Sequence, residues 1–209
     1  MTIEALPVDQ AFSVPAEDEA LNRAAKGLRE RNYTTHIVDT VAEARALVRD
    51  LLPRDKAIFT ANSETLRHSG LLADIDDGEE FVSVRAQLAG IDAADVRRQI
   101  TMGATPDVIV GSVHAVTEDG ILVATSASGS QLGPYAAGAE KVIWVVGGHK
   151  VVPDLETALR RIRTFSFPLE HDRWRKQGFE SFIGKTLIME REFVADRATV
   201  VLVREAIGF

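Results

Sequence analysis

The feature that most constrains the fold is an alternation of short, β-branched apolar runs with segments whose apolar residues recur at helical spacing. Ala20, Leu21, Ala24, Ala25 and Leu28 follow Pro15 and the acidic Glu17-Asp18-Glu19, a start that suits a first helical turn. Tyr33 to Val38 reads as a strand, and Thr40 with Glu43 has capping-box spacing ahead of Ala44, Leu47, Val48, Leu51 and Leu52. Ala57 to Thr60, Asp107 to Gly111 and Lys141 to Val146 read as further buried strands. A helix containing Leu66 follows the first of these, and one carrying Leu155, Ala158, Leu159 and Ile162 starts near Pro153-Asp154. Such alternation predicts a single Rossmann-like α/β domain with a mostly parallel central sheet flanked by helices.

Less regular stretches complete the plan. Residues 71–85 mix Asp74, Asp76 and Asp77 with a short Phe81 to Val84 strand, and a helical pattern covers about residues 86–102. Lys185 to Phe193 and Ala198 to Arg204, with Val194 to Arg197 as the turn, predict a C-terminal antiparallel strand pair. Residues 1–15, with Pro7 and Pro15, read as a flexible N-terminal arm ahead of one domain over 16–209. Phe165 to Gly184 reads as an excursion from the main sheet, and its Arg173, Trp174, Arg175 and Lys176 are candidates for covering a partner surface.

A chain of 209 residues that is 45% hydrophobic and 26% charged is long enough to bury a substantial core. The net charge of −7, without a lysine or arginine block, gives no reason to expect nucleic acid or an anionic membrane as partner. The absence of cysteine excludes disulfides and any cysteine-ligated iron-sulfur cluster or zinc within the chain, so a redox centre would belong to a partner. No basic-then-apolar leader and no apolar run of about 18 residues is present. The expected location is the cytoplasm.

Candidate chemistry is concentrated in polar, glycine-containing loops that leave the β-rich runs, where α/β proteins hold ligands. Glu118-Asp119-Gly120, between Ala115-Val116-Thr117 and Ile121-Leu122-Val123, is a hairpin signal; the same turn would project Glu118 as a catalytic base or nucleophile. Ser126-Ala127-Ser128-Gly129-Ser130-Gln131 offers hydroxyls, free amides and a carboxamide to an anion, with Ser128, Ser130 and Gln131 as contacts, or else forms a capped turn. In Gly147-Gly148-His149-Lys150 the two glycine amides and Lys150 are anion-binding candidates and His149 a titratable donor; the alternative is a plain strand-to-helix turn. Asn62 and Ser63 either present side chains to an anion or cap a helix. His36, in an apolar strand, reads as structural, His68 sits on a short helix and His171 in a charged stretch, and no spacing of histidines and carboxylates forms a recognisable metal site.

The string Val108-Ile109-Val110-Gly111-Ser112-Val113-His114-Ala115-Val116-Thr117-Glu118-Asp119-Gly120 resembles the LUD-domain family, the lactate-utilisation protein C group. Further matching elements are Ser128-Gly129-Ser130-Gln131-Leu132, Lys141 to Gly147, Lys150 to Leu155 with Ala158 to Ile162, and Val200 to Glu205. The resemblance implies a fold of the sugar-phosphate isomerase and CoA-transferase type (NagB/RpiA/CoA-transferase-like) and a link to oxidation of L-lactate to pyruvate in multi-protein systems. Companion proteins in such systems supply iron-sulfur clusters; the expected partners are these, a small carboxylate or related anion, and a homo-oligomer. The resemblance assigns no catalytic residue. Glu118-Asp119-Gly120-Ile121-Leu122 also looks like the Glu-Asn-Gly stretch of family I CoA transferases, with Asp119 in place of asparagine, which implies acyl transfer on Glu118 as an alternative. A third reading is a non-catalytic assembly or regulatory subunit.

Overall fold

The structure is a computed structural model and describes residues 4–92 and 94–209. The chain runs α1 (Asp18–Glu30), β1 (Thr34–Val38), α2 (Val41–Leu51), β2 (Ala57–Thr60), α3 (Glu64–Ser69), α4 (Leu71–Asp76), β3 (Val82–Ser83), α5 (Val84–Ala89), α6 (Val96–Ala104) and β4 (Val108–Gly111). It continues through β5 (Ala115–Thr117), β6 (Leu122–Ser126), β7 (Lys141–Gly147), β8 (Val151–Val152), α7 (Leu155–Arg161), α8 (Phe167–Arg175), β9 (Lys185–Met189) and β10 (Ala198–Val203). The cap read from the sequence at Thr40 forms, accepting from the Glu43 amide at 3.2 Å, and at the helix start near Pro153-Asp154 the Asp154 carboxylate accepts from the Thr157 amide at 2.7 Å. Ser63 occupies the cap position of α3 without a side-chain cap bond.

Six strands form a parallel sheet in the order β1-β10-β7-β4-β2-β3. Its strands are apolar on both faces because both faces are covered. Along β7, Val142, Trp144 and Val146 join a core with Leu21, Ala24, Ala25 and Leu28 of α1, while Ile143 and Val145 join Ala44, Val48, Leu66, Leu71 and Ile75 from α2, α3 and α4. A second sheet, ordered β8-β5-β6-β9, lies in the same layer as α1. Its Val116, Leu122 and Ala124 face that core, and its Ala115, Val123 and Val152 pack with Ala158, Ile162 and Phe165 on the other side. Among the described residues no helix is long and apolar enough to cross a membrane.

Three expectations are altered. The C-terminal strands form but do not pair with each other: β9 runs antiparallel to β6 in the small sheet, whereas β10 inserts between β1 and β7. The near-continuous apolar run of β10 explains its placement, since Val200, Val201, Leu202 and Val203 are all fully buried. The helical pattern over 86–102 is divided, with α5 ending at Gly90 and α6 starting after Asp95, whose carboxylate caps Arg98 at 3.1 Å; residue 93 lies outside the described residues. Within the segment expected to be an arm, residues 1–3 lie outside the described residues. Gln10–Ser13 form a 3-10 turn that buries Phe12 against Phe165, with ring centroids 6.5 Å apart.

The β5–β6 hairpin is fixed by a backbone-to-backbone approach. Gly120 has φ of +92°, and a Cβ placed there would lie 2.3 Å from the Gly27 carbonyl carbon of α1; a Cβ on Gly27 would meet the Asp119 carbonyl at 2.4 Å. Arg31 then clamps the tip, its Nη2 2.7 Å from Asp119 Oδ2 and its Nε donating to the Asp119 carbonyl at 2.6 Å. Gly178 has a comparable φ of +84° but nothing within 4 Å of its virtual Cβ. Gly178→Ala is therefore expected to cost only the backbone strain, about 1 kcal/mol. Gly120→Ala adds overpacking and should cost about 3 kcal/mol, a difference readable from equilibrium urea unfolding of the two variants.

Candidate functional site

Parallel strands release their following loops at one sheet edge, and the loops after β2 and β4 meet there with the serine loop after β6. Together with α8 and the segment that follows it they enclose a cleft of about 430 Å³. Of the residues expected to hold an anion, Asn62, Ser63, Ser128, Ser130, Gln131 and Lys150 line this cleft.

Lys150 forms part of its floor. The side chain is 1% exposed, and Nζ donates to Thr65 Oγ1 at 2.9 Å and Ser112 Oγ at 3.0 Å. An ammonium has three protons, so one donor is left. Burial, and after it the nearby Arg161, hold its pKa well below the usual lysine range, and no carboxylate opposes them. Arg161 is fully buried beneath the same floor: Nε donates to the His149 carbonyl at 3.0 Å, and Nη1 to the His114 carbonyl at 2.6 Å and Ser166 Oγ at 2.8 Å. Burial brings its pKa down to about 9, and Nη2 has no partner.

His114 lines the cleft near both Lys150 and Arg161. Its Nδ1 accepts from the Thr125 amide at 3.1 Å, an assignment that puts the proton on Nε2. Burial first, then Lys150 and Arg161, lower its pKa to about 3, so the ring is neutral. Two of the three carboxylates that line the cleft are already committed. Glu64 faces Arg67 at 3.0 Å and Arg173 at 3.7 Å, and Glu170 binds Arg173 at 2.7 Å and accepts from Trp174 Nε1 at 2.7 Å. The serine loop is internally braced: the Gly129 amide and the Gln131 side chain both bond Ser126 Oγ, at 2.9 and 3.0 Å.

Other expected residues are elsewhere. Glu118 lies at the tip of the β5–β6 hairpin, whereas His114 and Ser126 lie at its root; tip and root are held apart by the strands, at ~3.4 Å per residue. There Glu118 is paired with Arg23 at 2.5 Å in a separate groove with Arg31 and Asp119. The Gly147 and Gly148 amides do not reach the cleft: Gly147 is paired with Val203 in the sheet, and Gly148 donates to the Glu205 carbonyl at 3.0 Å. These glycines serve close approach by the C-terminal segment, since a Cβ on Gly147 would lie 2.6 Å from the Ile207 nitrogen. His149 points away from Lys150 into a groove with His68 and Ile207, edge-on to Phe165 at 6.1 Å, and burial lowers its pKa to about 2. Arg175 and Lys176 pair with Asp172 on their own helix.

Sequence reasoning missed His114, Thr65, Ser112 and Arg161. His114 stands immediately before β5, a placement that marks a strand-edge loop, but nothing in the sequence separates a buried Arg161 from the neighbouring Arg160 on α7.

A search among curated proteins gives no match. Among solved structures, the crystal structure of a DUF162 family protein from Deinococcus radiodurans is similar at 12% identity over 94% of this chain and 99% of that one, with a TM-score of 0.49. The sequence pattern of the LUD domain matches residues 21–203, a span that runs from α1 to the end of β10 and contains the cleft loops after β2, β4 and β6. The chain belongs to the LUD-domain family.

Proposed function

We propose that this LUD-domain protein binds a small carboxylate at the floor of the cleft and supports the oxidation of lactate to pyruvate beside iron-sulfur partner proteins in the cytoplasm. The observation that carries the binding step is Lys150, a fully buried amine with two hydroxyl partners, a spare donor and no carboxylate to neutralise it. Protonating a buried amine that has no counter-charge is costly, and a bound anion offsets that cost. Asn62, Ser63, Ser128 and Ser130 supply neutral donors around it, and His114 offers Nε2–H to a second oxygen. The lactate link rests on family membership, and the partner proteins would supply the redox centres that a chain without cysteine cannot ligate by thiolate.

Two measurements test the site. Lys150→Met removes the buried polar amine while Thr65 and Ser112 keep their bonds to the Ile207 and Val113 carbonyls, at 3.3 and 3.2 Å. The melting temperature of the free protein should rise, and affinity for lactate or pyruvate should fall about tenfold or more, about 1.4 kcal/mol; undiminished affinity would remove Lys150 from the site. The second concerns protons. In the free protein burial favours the neutral amine, and a carboxylate beside it favours the ammonium, so binding takes up a proton. Affinity should rise as pH falls and weaken as pH rises, and calorimetric titration in buffers of different ionisation enthalpy should show net uptake.

A further inference from the structure

We infer that the cleft is shaped for an anion that carries a planar ring, with its charged end at Lys150 and its ring against Trp174, Phe179 and Phe182; the charged end rests on the carboxylate reading above. At about 430 Å³ the cleft falls in the range that encloses drug-sized ligands, and a three-carbon hydroxy acid at the floor occupies only part of it.

The remaining space has a different chemistry. Besides its polar residues the cleft is lined by Phe167, Trp174, Phe179 and Phe182. Single exposed apolar side chains are ordinary, but Phe179 and Phe182 are each 61% exposed, lie on one irregular segment, and border the same cavity. Trp174 is held in place before any ligand arrives: Nε1 donates to Glu170 at 2.7 Å, the Arg173 guanidinium lies 4.9 Å from its ring centre, and Phe179 stands edge-on at 6.0 Å. An indole fixed in this way offers its surface at little entropic cost. The aromatic segment is also tied to the polar side, because the Gly184 amide donates to the Ser126 carbonyl at 3.2 Å. One ligand can therefore touch both walls, and the charge at the floor distinguishes the occupant from an uncharged aromatic molecule.

The test is calorimetric titration of the full chain with lactate, 3-phenyllactate, indole-3-lactate and the neutral amide of 3-phenyllactate. Fluorescence is followed in parallel, Trp174 reporting from the cleft while Trp144 stays buried in the core. The two ring-bearing acids should bind about tenfold or more tightly than lactate and than the amide, with Trp174 emission altered. In the Phe179→Ala, Phe182→Ala double variant the ratio of phenyllactate to lactate affinity should fall toward unity. Equal binding of lactate and phenyllactate overturns the ring inference and leaves the carboxylate site standing. Equal binding of the acid and its amide, or no binding by any of the four, overturns both. A double variant that keeps the ratio and instead changes the sedimentation state makes the aromatic wall a subunit contact and also overturns the inference.

Discussion

Arg161 is the interaction on which the site depends. Its guanidinium bonds the His149 carbonyl in the turn after β7, the His114 carbonyl in the loop after β4, and Ser166 at the entry to α8, so one planar group fixes three segments that are far apart in sequence. The fork geometry explains why an arginine stands there: a lysine has a single donor centre and cannot span three acceptors in fixed directions. With Arg161 in place, His114 is turned so that Nδ1 meets the Thr125 amide, and the turn carrying Lys150 is held with its amine toward Thr65 and Ser112. Two buried basic groups without a buried carboxylate beside them make the floor receptive to an anion. Both stand in a protein whose overall charge is −7, which makes the basicity of the floor a property of placement and not of composition.

Much of the sheet was legible because burial on both faces leaves a continuous apolar signature. β2, β4 and β7 could be read directly from Ala57–Thr60, Asp107–Gly111 and Lys141–Val146, and the cap at Thr40 from spacing alone. The pairing of the last strands was not legible. Lys185–Met189 and Ala198–Val203 are close in sequence and β-rich, which is the signature of a hairpin, yet the first is half-exposed and the second almost wholly buried. That contrast in burial, more than proximity, decided which sheet each joined.

The site was legible in its parts and not in its grouping. The loops carrying Asn62, Ser128 and Lys150 come together because parallel strands and a returning hairpin end at the same edge, and the order of strands in a sheet is not written in local pattern. Glu118 shows the converse. Its turn was read correctly from Asp119-Gly120, but the same β5–β6 hairpin that brings His114 and Ser126 to the cleft carries Glu118 away from it. The aromatic wall escaped notice because Phe179 and Phe182 follow no helical or strand period; only the fold brings them to one cleft with Trp174.

The position of β10 has a consequence for how the molecule is made. Among the described residues β10 is the sole sheet neighbour of β1 and the link between β1 and β7, so that Thr34 is paired with Thr199. Closing so long a loop carries an entropic penalty that no local contact offsets, which places this fold among the slow-folding topologies. During synthesis β1 and one side of β7 keep their backbone amides and carbonyls unpaired until residues 198–203 emerge from the ribosome. Through that interval the nascent chain presents two open strand edges, and its protection from edge-to-edge aggregation depends on how quickly the last strand is delivered.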